Sequence, residues 1–337
     1  MAITAGDFSP TDLQEAILKA DQMWSDDMTR ADFEANVDVL NAIRGEQNAN
    51  VSILEESEKD RQVKITWVNN CDAVVEACSV DDCDIAGAEA GTDTQTYGID
   101  GCIRYRFTVD EMDQRTNSIS FGETVAKNFL RADKALSDNV AQASIAKIEA
   151  ALGVNTVTTG VGTFNAGTGD TDIAAADWNE RIFAYFYRVA LMNKMPNPFL
   201  LSGQTLFDDR FLALMKEGNG EGKGDAKLFR SMRQYYDLFN IDTANTPDFK
   251  SYMINRGSMA FASKNYYGAT PTRYKTQDRY SIASRNIAGM RFDVYYTNRC
   301  VGNTIKHDFM LKAHYDYFVN PIGCDANRTG FLSFNKI

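Results

Sequence analysis

Apolar and polar positions alternate along this chain with two periods, and the switches between them mark its parts. Near the start the period is helical. Pro10 stands where a missing N–H costs nothing, and Leu13, Ile17 and Leu18 follow as an apolar stripe. Thr29 is placed to cap a second helix whose stripe is Phe33, Val37, Leu40 and Ile43, ending at Arg44-Gly45. Both stripes are narrow, which predicts an arm laid on another surface. The period then becomes two. Val63–Val68 and Cys102–Val109 alternate as half-buried strands, with an acidic stretch rich in glycine and threonine from 81 to 101 between them. They predict one long two-stranded excursion with an elaborated tip. An isolated strand pair is marginal in water, so this excursion calls for a partner surface.

The helical period returns at its strongest from Gly122 to Leu152. Phe121, Val125, Phe129, Ala132, Leu136, Val140, Ala143, Ile148 and Leu152 form one stripe through an alanine-rich stretch that Gly153 closes. At 1.5 Å per residue this helix runs roughly 45 Å, longer than a domain core requires, and it reads as a helix backing a sheet. A glycine-rich loop at 154–176 follows. Asp177 and Glu180 form a capping box for a helix over Trp178–Met195, which Pro196 and Pro198 terminate, and Phe199–Leu201 reads as a short buried strand. Helices are expected at about 204–216 and 225–239, separated by a glycine-rich run at 218–224. The remainder reads as strands, at 252–255, 258–263, 280–284, 290–297 and 307–319, where aromatic and β-branched residues dominate. The pattern predicts an α+β fold, without an internal repeat.

Composition narrows the function. The chain has 337 residues, 44% of them apolar and 24% charged, so it can bury a substantial core. No window of 18 apolar residues exists to span a membrane, and the first ten residues lack the features of a secretory signal. Lysine plus arginine is 35 against 46 aspartates and glutamates, a net charge of −11. An acidic surface repels phosphate backbones, which argues against a sequence-reading nucleic-acid binder.

Candidate chemistry is sparse. Cys71, Cys78, Cys83 and Cys102 crowd together without a C-x-x-C knuckle. They are free thiols or disulfides formed later in an oxidising medium, and zinc is the weaker reading. The run at 218–224 fails as a phosphate loop, because Gly224 follows Lys223 where a Ser or Thr is needed and Glu217 stands where the first glycine should be. Asp170, Asp172 and Asp177 lack the ligand pattern of a calcium loop and read as solvated turn residues, and Asp81, Asp82 and Asp84 as an exposed acidic tip. His307 and His314, the only histidines, lie an odd number of residues apart on a strand-like stretch. They should therefore face opposite ways and read as structural. Tyrosines at 235–236, 266–267, 295–296, 315 and 317 read as sheet packing or subunit contact. Nothing points to catalysis, a cofactor or a metal.

The order of these parts resembles the major capsid proteins of tailed bacteriophages, the Hong Kong 97 fold. There an N-terminal arm and an extended loop precede a "spine" helix, followed by peripheral and axial domains. Val63–Val68 and Cys102–Val109 match the extended β-hairpin loop and Gly122–Leu152 the spine helix. The segment from Asn320-Pro321 through Thr329 to Phe334 looks like the tail of such proteins from phages of Bacteroidetes. The resemblance implies an N-terminal arm at 1–55, an extended loop at 56–118, and a peripheral domain at 119–180 with the spine helix at 122–152. An axial domain at 181–285 and a return to the peripheral domain at 286–337 complete it.

What the resemblance implies is a structural shell protein. Copies would tile hexamers and pentamers of an icosahedral phage head that encloses double-stranded DNA without sequence-specific binding. Partners would be the chain itself, a portal and a separate scaffold protein, since no long charged helical extension is present. The virion, assembled in the host bacterial cytoplasm, would be its location, with no membrane involved. The start at Met1 implies no N-terminal maturation cleavage. Stripes that a monomer leaves wet would carry subunit contact, through Phe33, Val37, Ile65, Trp67, Tyr105 and Phe107. Other readings are an encapsulin-like compartment shell, a hydrolase or ligand-binding protein using His307 or His314, and a tail-tube or baseplate component.

Overall fold

The computed structural model describes residues 10–53, 62–68, 92–111, 120–153, 161–178, 182–195, 197–204, 206–207, 233–241, 250–302, 304–321 and 329–337. Three helices open the chain: α1 (Pro10–Ser25), α2 (Asp27–Phe33) and α3 (Asp38–Gly45). The expected single helix over 29–44 is thus two, the first beginning after Asp26, whose carboxylate accepts the Thr29 hydroxyl at 2.7 Å. The break at 34–37 has a physical cause. The Ala35 N–H donates to Asn286 Oδ1 at 2.7 Å and the Asn36 N–H to Asp138 Oδ1 at 2.9 Å, so side chains of the body take the donors a continued helix would use. Asp237 then receives the Val39 N–H at 3.2 Å and caps α3 from outside its own segment.

The first sheet is antiparallel, in the order β1 (Ala49–Ile53), β2 (Gln62–Val68), β3 (Thr92–Gly98). Here the expected hairpin is corrected. β2 pairs with β1 and β3, whereas β4 (Gly101–Asp110) leaves for another sheet. Alternation identified both strands and their faces, but it carries no information about partners.

The second sheet backs onto α4 (Phe121–Ala151), the long helix, and its strand order is β10 (Met259–Ser263), β14 (Thr304–Val319), β13 (Arg291–Val301), β12 (Gln277–Ala283), β11 (Thr272–Tyr274). β4 lies beside the first part of β14, from Lys306 to Tyr315, and β10 beside the last, from Tyr315 to Val319. Tyr315 thus pairs with Gly101 on one strand and Ser263 on the next. At this junction only glycine fits, because a Cβ on residue 101 would lie 2.1 Å from the Tyr315 carbonyl oxygen. Ser120 caps α4 by accepting the Glu123 N–H at 3.2 Å. Val125, Phe129, Leu136 and Val140 bury against Phe309, Leu311, Val294 and Phe292 of the sheet to form the main core.

The third sheet runs β5 (Thr163–Asn165), β6 (Asp170–Ile173), β15 (Phe331–Lys336), β9 (Lys250–Asn255), β7 (Pro198–Ser202), β8 (Arg233–Tyr236). It is buried on both faces. Phe199, Leu201, Tyr252 and Phe331 join the main core, while Leu200, Met253, Leu332 and Phe334 pack beneath α5 (Ile182–Met192), whose Phe186 stacks on Phe334. One expectation changes here, and two others extend beyond the described residues. Residues 233–236 form β8, parallel to β7, instead of part of a helix. Asp177 closes a 3-10 turn, Ala175–Asp177, and its expected partner Glu180 lies outside the described residues. The expected helix at 204–216 is described only at Gln204, Leu206 and Phe207.

The uncovered stripes predicted above are covered by the chain itself. Phe33 is buried with Ala20 against Ala126 and Leu130 of α4, and Val37 joins the main core. Val63, Ile65 and Trp67 pack on Ala260, Ala262 and Phe318 at the β10 end of the second sheet, and all three are fully buried. Tyr105 and Phe107 are half-buried against the main core. A narrow apolar stripe says only that one side is dry, and here the body keeps it dry.

Candidate functional site

Charged side chains at buried positions are the usual markers of a site, and four such groups stand out. Glu46 is buried and receives the Tyr235 hydroxyl and an Arg233 guanidinium N–H, each at 2.6 Å. Its carboxylate holds the Tyr235 phenol above its ordinary range, an effect second to burial. Asp133, on the buried face of α4, accepts from Ser137 Oγ at 3.1 Å, Ser284 Oγ at 2.7 Å and the Arg285 N–H at 2.7 Å. Lys250 donates to both Glu149 oxygens and pairs with Asp170 at 3.1 Å, and the Tyr252 hydroxyl also reaches Glu149. Asp170 is therefore a buried ion-pair partner and not a solvated turn residue. Asp293, wholly buried on β13, accepts the Tyr266 and Tyr267 N–H groups at 3.0 and 3.2 Å. Burial raises its carboxyl to about 6, against the pull of those two N–H groups and of Lys312 and Arg291. Each node ties together segments far apart in sequence, and each has its partners inside the chain. Such nodes hold a fold in register.

The two histidines face opposite ways on β14, as period two requires. Nδ1 of His307 shares a hydrogen bond of 2.9 Å with the Tyr296 hydroxyl, and its ring lies edge-on to Phe121. Burial lowers its pKa. His314 points the other way, its Nε2 3.8 Å from Asp293 and its ring edge-on to Tyr266. Both are buried. Among the described residues no group of three or more His, Cys, Asp or Glu could hold a metal ion. No described helix is long and apolar enough to cross a membrane. Cys102 is a free, exposed thiol on β4, while Cys71, Cys78 and Cys83 lie outside the described residues, as do the loop at 218–224 and Asp81, Asp82 and Asp84.

An extended open feature among the described residues is a face of the second sheet. At its β10 end this face is roofed by the first sheet through Ala260, Ala262 and Phe318. Beyond that roof it is open. Strand register sets Arg104 opposite Lys312 and Arg106 opposite Met310, with Met310 opposite Tyr295 and Tyr295 opposite Arg279. The Arg279 guanidinium lies 4.4 Å from the Tyr274 ring centroid and 5.6 Å from that of Tyr295, and Lys312 lies 4.6 Å over Tyr295. A shallow cleft of about 290 Å³ between Arg106, Gln277, Thr297 and Asp308 indents this face. Sequence reading missed the face, although Cys102, Arg104, Arg106 and Thr108 already showed a polar side of β4. The other half of the pattern lies two hundred residues away, and only the β4–β14 pairing joins them.

No family model matches the sequence, and no curated protein matches it. Solved structures do. A chain of the cyanophage A-1(L) capsid asymmetric unit, 13% identical, aligns over 89% of this chain and 92% of its own with a TM-score of 0.50. A chain from Mycobacterium phage Adephagia, 13% identical, aligns over 90% of this chain and 91% of its own at a TM-score of 0.45. One from the asymmetric unit of the bacteriophage PhiM1 mature capsid, 9% identical, aligns over 85% and 88% at 0.39. The likeness to the cyanophage chain shows the fold: mixed α and β, several sheets, and the arrangement of a phage capsid chain.

Proposed function

We propose that this chain is a major capsid protein of the Hong Kong 97 type, whose copies assemble into hexamers and pentamers of a phage head around double-stranded DNA. The observation that carries the reading is the fold shared with a cyanophage capsid chain over nearly the whole length of both. In this reading α4 is the spine helix, and the second sheet with α4 makes up the peripheral domain. The third sheet with α5 makes up the axial domain, and β2 and β3 are the base of the extended loop. In this reading the peripheral sheet takes β10–β12 from the expected axial segment 181–285, and the axial sheet takes β15 from the expected peripheral segment 286–337.

Subunit contact in this reading cannot rest on Phe33, Val37, Ile65 or Trp67, which the body already covers. Tyr105 and Phe107 keep part of their surface exposed and remain contact candidates, and Leu238 and Phe239, exposed just beyond β8, join them. Interfaces of this kind gain strength by repetition around a closed shell, so each one can be modest. The role is structural, with the portal and a separate scaffold as further partners, in the virion. Sedimentation velocity on the purified full chain tests this. Particles of many copies are the expected result, and a single monomer boundary at high concentration and physiological salt overturns it.

A further inference from the structure

Where the roof of the first sheet ends, one segment of chain crosses the same face of the second sheet. Residues 264–271 leave β10, run over β14 and β13 to the outer edge of β12, and from there enter β11. Ties to each strand mark the path. The Lys264 N–H donates to the His314 carbonyl at 3.1 Å, and the Tyr266 ring stands edge-on to the His314 ring, centroids 4.8 Å apart. The Tyr266 and Tyr267 N–H groups donate to Asp293, and the Gly268 carbonyl accepts the Ser281 N–H at 2.8 Å. Within the segment, Asn265 Nδ2 donates to the Tyr267 carbonyl at 2.8 Å and holds the two tyrosines as one unit. Asn265, Tyr266 and Tyr267 are half-buried and residues 268–270 are exposed, so the outer side of the segment is wet.

Beneath the segment lies Asp293, with no surface exposed. From β14, Lys312 stands opposite it and His314 Nε2 lies 3.8 Å from Oδ2. Arg291 precedes it on β13, with its guanidinium donating to the Ser281 hydroxyl at 2.9 Å and the Ser281 carbonyl at 2.8 Å. Further out on the same face are Arg279 of β12 and, opposite Lys312 and His314, Arg104 and Cys102 of β4. The crossing segment contributes buried Lys264 beside Tyr266 and Tyr267. Lys312 and Arg291 favour the carboxylate, yet burial outweighs them and the group titrates at about 6.

We propose that residues 264–271 form a proton-operated strap, closed over Asp293 when that carboxyl is protonated and loosened when it ionises. The inference stands apart from the shell reading. Oδ1 accepts both tyrosine N–H groups, at 3.0 and 3.2 Å, so a proton on Oδ2 leaves those two bonds in place. Ionisation lets Oδ2 share the Tyr266 N–H at 3.0 Å, but it confines a charge where water does not reach. Opening the strap returns water to the charged form and offers far less to the neutral one. The closed strap therefore holds the proton more tightly than the open one, and rising pH shifts the balance toward open. With the closed carboxyl at about 6 and the open one near the ordinary 3.8, the open population grows about tenfold from about pH 5 to about pH 7.5. Opening joins the ground around His314 and Asp293 to the open face beside it, so the strap sets how much of that face is available at a given pH.

Hydrogen exchange of the full chain tests this, read by mass spectrometry on peptides covering 264–271 and corrected for the intrinsic rate at each pH. In the parent, protection of these peptides is expected to fall about tenfold from about pH 5 to about pH 7.5. The fall should be insensitive to mild urea, as local opening is, while peptides of β13 and β14 stay slower throughout. Asp293→Asn keeps an accepting oxygen and is expected to make strap protection independent of pH. Asn265→Ala removes the tie inside the strap and is expected to lower protection at every pH while keeping the tenfold change. That variant and the parent carry the test should the Asp293 variant not fold. His314→Gln is expected to keep the change. Strap protection that does not vary with pH overturns the proposal. So does a change shared equally by β13 and β14 with the same urea dependence, because opening is then global unfolding. A change that survives Asp293→Asn and vanishes in His314→Gln overturns it as well. Each of these readings concerns exchange and not particle formation, so failure here leaves the shell reading untouched.

Discussion

Replacing Asp293 by asparagine separates the cost of burying a charge from the worth of its hydrogen bonds. Oδ1 of Asp293 accepts from both the Tyr266 and Tyr267 N–H groups, at 3.0 and 3.2 Å, and an amide carbonyl in the same place keeps both. What the variant loses is the charge, together with the share of the Tyr266 N–H that Oδ2 takes at 3.0 Å, a loss that does not vary with pH. The folded carboxyl titrates at about 6 instead of the ordinary 3.8, because burial disfavours the ionised form. The folded state therefore holds its proton to higher pH than the unfolded chain does, so stability falls as pH rises from about 4 through 6. A shift of about two units corresponds to about 3 kcal/mol at neutral pH, of which roughly 1.5 kcal/mol develops between pH 5 and 7.5. His307 works in the opposite sense, since burial lowers its pKa and stability from it is lost as pH falls through the ordinary histidine range. His307 acts equally in parent and variant and cancels from their difference, which reports Asp293 together with its 3.8 Å contact to His314. Urea unfolding of Asp293→Asn and the parent, followed by circular dichroism at both pH values, measures it. The variant's stability relative to the parent is expected to improve by roughly 1.5 kcal/mol on going from pH 5 to 7.5. A relative stability independent of pH would refute the reasoning, because the carboxylate would then carry no burial cost.

Two further substitutions probe the architecture. Trp67→Ala removes a fully buried ring that also donates to the Tyr97 hydroxyl at 3.0 Å, and costs roughly 3–5 kcal/mol. Hydrogen exchange is expected to accelerate in β1–β3 far more than in β12–β14, and uniform acceleration would show that the first sheet is no separate layer. Gly101→Ala places a Cβ 2.1 Å from the Tyr315 carbonyl with backbone on both sides, a clash worth roughly 3 kcal/mol. A clear fall in melting temperature is expected, and an unchanged one would mean that β4 and β14 pair in another register.

Elements were far more legible in the sequence than their partners. The long helix could be read almost to the residue, because one consistent period runs through an alanine-rich stripe that Gly153 closes, and only its cap, Ser120, went unread. Most late strands could be read too, from their aromatic and β-branched residues. Pairing was hidden. β2 and β4 show the same alternation, which fixes the buried face of each strand and leaves the neighbour open, so an apparent hairpin separated into two sheets. Residues 233–236 looked helical within a longer polar stretch, but Tyr235 and Tyr236 complete the edge of a sheet that only β7 can seed. The buried ionic nodes left one trace. Asp133 falls four residues after Phe129 and three before Leu136, in phase with the dry side of α4, where a lone carboxylate demands donors from elsewhere. Those donors, Ser284 and Arg285, lie some 150 residues away, beyond the reach of any local pattern.

The central claim is that copies of this chain close into a shell, with the fold of a cyanophage capsid chain as its basis. Electron microscopy of the purified full chain tests it most directly. The account predicts hollow angular particles whose surface resolves into clusters of five and six copies, with α4 running along each subunit. Isolated single copies, or open rings and tubes in place of closed particles, would contradict it.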